Sequence, residues 1–92
     1  MYISFNEIDD LFDISFLEHL SVLDFEGNNV QAIEQLMYLK RLKHLTVVNL
    51  KHNPVSQGPN AGLYYEKVIE NVPSIVIFDD EIVPNDKADF VL

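Results

Sequence analysis

The segments Leu20–Val30 and Leu45–Val55 decide the fold, and they read LSVLDFEGNNV and LTVVNLKHNPV. Each has apolar residues at its first, fourth, sixth and eleventh positions and an asparagine at its ninth. A shorter copy, Met1–Ile8, reads MYISFNEI and repeats the second half of the pattern. The asparagines of successive copies are 22 and 25 residues apart. A repeat of roughly 20 to 29 residues predicts a solenoid in which each copy forms one coil.

The chemistry of the pattern explains the shape of each coil. Apolar residues at every second position predict a short strand whose apolar side chains point into the coil. The chain must turn just after that strand, and the turn leaves backbone N–H and C=O groups without partners. An asparagine amide can both donate to and accept from such groups. The pattern therefore predicts a buried structural ladder of Asn6, Asn28 and Asn53.

The segments that connect the strands carry their own periodicity. From Ile8 to Leu23 apolar residues recur at every third position, which favours a short 3₁₀-like segment on the first convex side. The second repeat is longer, and its extra residues predict an α-helix near Ile33–Leu39.

The last third of the chain has a different character. Residues 57–62 form a turn-rich loop, and Leu63–Val72 has helical apolar spacing that Pro73 ends. Ile75–Asp79 is interpreted as a last apolar strand. Asp80 and Glu81 are predicted to be exposed, as is the tail.

The cap residues carry a resemblance to a known family. Asn53-Pro54-Val55, followed by Tyr64, Val68, Val72 and Phe78, resembles the C-terminal cap of the 22-residue leucine-rich-repeat subfamily found in the regulatory subunit of protein phosphatase 1. Leu23–Asn28 is similar to members involved in ciliary dynein assembly. Tyr65 and Asp80 depart from the cap pattern, since relatives often have a basic residue and a glycine there.

This resemblance covers nearly the whole chain and implies an α/β leucine-rich-repeat solenoid. A short parallel sheet would form the concave side, with 3₁₀ or α segments on the convex side and a helical cap. The expected organisation is three repeats over residues 1–55, the first truncated at its N-terminus, a cap over 56–83 and a tail over 84–92.

The N-terminal end is expected to be uncapped, because the chain begins inside a strand at Met1. Three explanations are open. The chain is a fragment of a longer solenoid, which we favour, or it self-associates through the open end, or polar residues near Met1 blunt the edge.

Composition narrows the function. Six Lys and Arg against fifteen Asp and Glu give a formal charge of -9, which disfavours direct nucleic-acid binding. There is no cysteine and no run of about eighteen apolar residues that could span a membrane. We therefore expect a protein partner, no membrane contact and a cytoplasmic location, with nuclear and ciliary locations as alternatives.

Aligning the repeats places outward-facing residues in columns on the concave face. Val22, Val47 and Ile77 would form an apolar stripe, although outward valines are also ordinary in strands. The predicted partner-binding set is Ser4, Val22, Asp24, Glu26, Val47, Asn49, Lys51, His52, Ile77 and Asp79.

Other chemistry has weaker support. His19 and His44 occupy equivalent positions and could stack, but no third ligand makes them a metal site, and a solvated surface role is favoured. The carboxylates at 9, 10 and 13 and at 79–81 lack the spacing of a calcium loop. No cofactor, metal or catalytic residue is predicted. The chain is expected to be a protein-interaction module or scaffold rather than an enzyme; the alternative is a structural C-terminal part of a larger repeat protein that binds elsewhere.

Overall fold

The structure is a computed structural model that describes residues 1–2, 7 and 9–84. Four short strands form one sheet in the order β1 (Val22–Asp24), β2 (Val47–Asn49), β3 (Ile77–Phe78) and β4 (Glu81–Ile82). The first three are parallel neighbours, whereas β4 runs antiparallel to β3. Successive coils are therefore stacked with their strands side by side, as the repeat predicted.

The start of the chain also joins the sheet. Tyr2 makes an isolated parallel bridge with Asp24. The N–H of Asp24 donates to the carbonyl of Met1 at 2.8 Å. The described beginning of the first repeat thus lies beside β1, in the position that a preceding coil occupies in the predicted solenoid.

The convex side consists of 3₁₀ helices at Asp13–Phe16 and Ile33–Arg41. The first agrees with the three-residue spacing, but the α-helix predicted near Ile33–Leu39 is wrong. The apolar side chains of the longer segment still recur at every third position, at Ile33, Leu36, Leu39 and Leu42. A 3₁₀ helix has three residues per turn, so this spacing keeps all of them on one face. Leu36, Leu39 and Leu42 are buried there.

The core lies between the sheet and the convex helices, because side chains alternate between the two faces of each strand. The central residues Leu23 and Val48 are completely buried, as are Phe25 and Leu50, which follow the strands. The whole buried apolar set forms one cluster that runs from Leu11 to Val83. The coils are therefore filled by their own side chains.

The turn after each strand needs a left-handed backbone. Gly27 follows β1 with φ 71°, and His52 occupies the same position after β2 with φ 60°. Glycine adopts this conformation without steric cost, whereas histidine does so less readily. The asparagine of the repeat comes next in the chain, where its amide can bond the buried backbone groups of the turn.

After β2 the chain forms short 3₁₀ helices at Pro54–Ser56 and Gly58–Asn60, followed by α1 (Ala61–Asn71), the helix of the predicted cap. Its helix buries Tyr64 and Val68, and the residue after it, Val72, is buried too. The ring of Tyr64 lies 5.2 Å from that of Phe78 in β3. The four residues named for the cap are thus all buried on the last coil.

Asp80 and Glu81 were predicted to be exposed residues after the last strand, but the structure has a further strand there. Both side chains are exposed, but Glu81 and Ile82 pair with β3, and Val83 is buried with its N–H donating to the carbonyl of Val76 at 2.8 Å. The hairpin forms because Asp79 and Asp80 both adopt positive φ, which reverses the chain. Within residues 1–2, 7 and 9–84, no helix has the length and apolar character needed to cross a membrane.

Candidate protein-binding surface

The asparagine ladder lies directly beneath the turns that end the strands. Asn53 is completely buried, and its Nδ2 donates to the carbonyls of Phe25 and Leu50 at 3.0 Å each. Its Oδ1 accepts from the N–H of Val30 at 3.0 Å. One amide thereby bonds two neighbouring coils.

Asn28 occupies the equivalent place one coil earlier. It is buried, and its Nδ2 donates to the carbonyl of Phe25 at 3.0 Å. Asn6, the third member of the predicted ladder, lies outside the described residues. The two described members hold the turns in place, and the turns set the spacing of the surface residues beside them.

The proposed apolar stripe follows the strand register. Val22 is paired with Val47, and Val47 with Ile77. All three side chains are half-buried, whereas Leu23, Val48 and Phe78, which follow them in the strands, point into the core. Because parallel neighbours are about 4.8 Å apart, the three form a continuous row across the sheet.

A polar column lies two residues further along β1 and β2. Asp24 is paired with Asn49 in the register. The Asn49 amide donates to Asp24 Oδ1 at 3.2 Å and to Glu26 Oε1 at 3.0 Å. Asn49 is buried, with 7% of its surface exposed, so the structure leaves little of its side chain for a partner. It instead fixes the two carboxylates, which are half-buried.

The turn residues add charges of both signs. His52 is exposed, and its Nε2 lies 3.6 Å from Glu26 Oε2. Lys51 is half-buried and forms a salt bridge with Asp80, whose carboxylate raises the pKa of the lysine. Ser4, the remaining predicted contact, lies outside the described residues.

Asp79 is half-buried, and both of its carboxylate oxygens accept hydrogen bonds. Its Oδ1 accepts from the N–H of Leu50 at 2.8 Å, and its Oδ2 accepts from the hydroxyl of Tyr64 at 2.6 Å. Burial raises the pKa of Asp79 above its usual value, although both hydrogen bonds act in the opposite direction. Burial and the nearby Asp79 charge also raise the pKa of Tyr64.

The remaining candidate groups do not join this surface. His19 and His44 stack with ring centroids 5.8 Å apart, and both are exposed. In the described part of the chain, no three or more histidine, aspartate and glutamate side chains are arranged to hold a metal ion.

Sequence reasoning missed two features. The first is the β3–β4 hairpin, which places Glu81 and Ile82 beside the cap helix. The second is an aromatic cluster on the convex side, where Phe12 lies 5.0 Å from Phe16 and 5.5 Å from Tyr38. The guanidinium of Arg41 lies 5.0 Å above the Phe16 ring. The three-residue spacing locates the buried face of this side but gives no signal for contacts among its outward side chains.

Comparison with solved structures supports the architecture described above. The Chaetomium Mex67:Mtr2 subunits include a chain that superposes with a TM-score of 0.77 at 24% identity, covering 94% of this chain and 56% of that one. The Mex67 leucine-rich-repeat domain from Chaetomium thermophilum gives a TM-score of 0.73 at 24% identity, covering 89% of this chain and 56% of that one. The chain therefore has the leucine-rich-repeat fold, which confirms the predicted fold class.

Similar sequences support the same class. Leucine-rich repeat-containing protein 56 of Rattus norvegicus is 36% identical in an alignment that covers 87% of this chain, and its Homo sapiens counterpart is 32% identical over the same share. Cilia- and flagella-associated protein 410 of Mus musculus is 31% identical over 92% of this chain. The chain spans 16% of the length of the first two proteins and 34% of the third. No protein-family model matches.

Proposed function

We propose that this leucine-rich-repeat domain binds a protein partner through the concave face of its sheet. The observation that carries the proposal is the register that aligns Val22, Val47 and Ile77 in one half-buried row. A partner can bury the apolar surface of such a rigid row, and the backbone of the domain need not rearrange on binding. The carboxylates of Asp24, Glu26 and Asp79 border this row and favour a partner surface with positive charge.

The structure also supports a binding role over catalysis. The coils are filled by their own apolar residues, which leaves the proposed contacts on an open surface rather than in an enclosed pocket. We accordingly assign no catalytic residue and no cofactor.

Paired variants test the concave face. Val47→Arg combined with Asp24→Lys changes both the apolar row and its acidic border. Met37→Arg, at a side chain that is 58% exposed on the convex helix, supplies the control. Affinity purification from the source cells should recover a partner with the wild type and with Met37→Arg, and lose it with the concave variant. A partner retained by the concave variant, with the fold verified by circular dichroism, would place the interface elsewhere.

A second candidate function is that this domain is a structural part of a larger protein. The coverage of the relatives favours this candidate, since their similarity is confined to 16% of the length of the leucine-rich repeat-containing proteins. In that case the isolated domain would capture no partner that the full-length protein captures.

The cellular setting is also a proposal. The name of cilia- and flagella-associated protein 410 supports an intracellular, ciliary location for this chain, and the predicted 22-residue, dynein-assembly subtype is compatible with it. Fluorescent tagging in ciliated cells tests this, since a signal absent from cilia and their bases would contradict it. Self-association through the edge beside Tyr2 stays a prediction, and light scattering over a concentration series would reveal it as a rise in mass.

A further inference from the structure

A groove opens between the first turns of α1 and the β3–β4 hairpin. Its volume is about 290 Å³, and its walls include Tyr64, Tyr65, Phe78, Asp79, Glu81 and Ile82. The groove borders the concave face, because Asp79 belongs to both. It exists because the antiparallel hairpin folds Glu81 and Ile82 back beside the cap helix.

Three aromatic rings line the groove, of which Tyr64 and Phe78 are buried and Tyr65 is partly exposed. The Phe78 ring lies 5.2 Å from Tyr64 and 5.7 Å from Tyr65. Tyr65 is 44% exposed, so part of its ring remains open to a ligand. The face of an aromatic ring carries negative charge density and attracts cations within about 6 Å of its centre.

Two carboxylates, those of Asp79 and Glu81, also line the groove. Asp79 accepts from Tyr64 and from the Leu50 N–H, and two acceptor oxygens leave room for a further donor. Glu81 is exposed, and among the described residues its carboxylate makes no hydrogen bond or ion pair. The adjacent Lys51 is occupied by Asp80 and is not part of the groove wall. Among the residues that the structure describes, the wall therefore contains two acidic side chains and no basic one.

We propose that this groove receives an arginine side chain of the protein partner. The inference rests on the proposed function and adds the chemistry of the residue that the partner presents. A guanidinium is planar, stacks on aromatic faces and donates through several N–H groups, so it can use the Tyr65 ring and the carboxylates of Glu81 and Asp79 together. Ile82, at 81% exposure, would cover the aliphatic stem of the arginine.

The test uses the full chain labelled with ¹⁵N and titrated with N-acetyl-arginine methylamide. The matched uncharged probe is N-acetyl-norleucine methylamide. The arginine probe should shift the amide signals of Tyr65, Glu81 and Ile82, and the effect should weaken as ionic strength rises. The norleucine probe should leave these signals nearly unchanged.

Two variants of exposed residues sharpen the result. Glu81→Gln and Tyr65→Leu should each weaken binding of the arginine probe by about two- to fivefold, the range expected for an exposed ion pair or cation–π contact. Glu34→Gln, an exposed position on the convex helix, should leave binding unchanged. Equal shifts with both probes, shifts confined to other regions, or full binding by Glu81→Gln would overturn the proposal.

The outcome is separable from that of the concave-face test. If the arginine probe fails to bind while Val47→Arg with Asp24→Lys still abolishes partner capture, the groove proposal fails and the proposed function stands. If the probe binds in the groove but the concave variant captures the partner normally, the concave assignment fails instead.

Discussion

The hydroxyl of Tyr64 donates to Asp79 Oδ2 at 2.6 Å and joins the cap helix to the end of the last parallel strand. The two residues are fifteen positions apart, and Tyr64 is buried. Because the second oxygen of Asp79 accepts from the Leu50 N–H, this carboxylate connects the cap to the preceding coil as well.

Removing the Tyr64 hydroxyl should weaken the attachment of the cap. We expect Tyr64→Phe to lower the free energy of unfolding by about 1 to 3 kcal/mol, since a partly buried carboxylate loses a donor. Tyr65→Phe is the matched control, because that ring is 44% exposed, and it should change stability by less than about 0.5 kcal/mol. Urea denaturation of both variants measures the difference, and equal effects would contradict the role of this hydrogen bond.

The raised pKa of Asp79 predicts a dependence of stability on pH. In the folded state, burial favours the protonated carboxyl above the ordinary pKa of 3.8. Its stabilising contribution is therefore fully present below about pH 3.8 and is lost as the pH rises through the folded-state pKa.

Asp79→Asn removes this titration while keeping an oxygen for the Leu50 N–H. The stability of the variant relative to the wild type should increase as the pH is raised from 3.8 toward neutrality. Denaturant melts at several pH values measure this trend, with Asp13→Asn, at an exposed position, as the comparison. A difference that stays flat or falls with rising pH would be inconsistent with the burial argument.

The buried amide of Asn53 should be one of the most sensitive positions in the chain. Asn53→Ala leaves the carbonyls of Phe25 and Leu50 and the N–H of Val30 without this partner. The Phe25 carbonyl keeps its bond from Asn28, so the Leu50 carbonyl and the Val30 N–H are the groups left unsatisfied. Since each unsatisfied buried group costs about 1 to 3 kcal/mol, we expect a loss of at least about 2 kcal/mol. Thermal unfolding provides the measurement.

Asn29→Ala is the control for this change, because Asn29 is only half-buried and its side chain bonds the exposed Gln31 at 3.4 Å. We expect an effect below about 0.5 kcal/mol. A small effect at Asn53 as well would mean that water or a relaxed backbone replaces the amide.

The antiparallel hairpin should contribute to stability through Val83 rather than Ile82. Val83 is 4% exposed and Ile82 is 81% exposed. Truncating a buried valine to alanine removes two methyl groups from the core and should cost about 1 to 3 kcal/mol. Ile82→Ala should stay within about 0.5 kcal/mol of the wild type. Chemical denaturation of the two variants distinguishes the sites, and a neutral Val83→Ala would mean that the hairpin is not anchored to the core.

Sequence reasoning predicted most of the fold because each repeat carries the same spacing of apolar residues and asparagine, so one coil indicates the structure of the next. The spacing of Leu23, Phe25 and Asn28 recurs 25 residues later, beginning within β2, so one pattern predicted the strand position, the inward face and the register. The same reasoning predicted which residues of the cap would be buried, because the helical spacing of Tyr64, Val68 and Val72 defines a single face.

The errors have physical causes. The helix type at Ile33–Arg41 depends on hydrogen bonding within a segment only nine residues long. The length of the second repeat suggested an α-helix, whereas its apolar residues recur at every third position, which suits a 3₁₀ helix. The hairpin depends on positive φ at Asp79 and Asp80. Aspartate tolerates this conformation, but an aspartate in a sequence does not predict it. The groove forms only when that hairpin folds back. The local sequence pattern therefore could not predict that Glu81 lines a groove.

The opposite direction of β4 limits how such an array can be lengthened. A new coil added after β3 would need the hydrogen-bonding edge that Glu81 and Ile82 already occupy. An engineered extension would therefore have to be spliced between existing coils, for example as a duplicate of the β1-to-β2 unit. The array should elongate by internal duplication, with its terminal hairpin carried along unchanged.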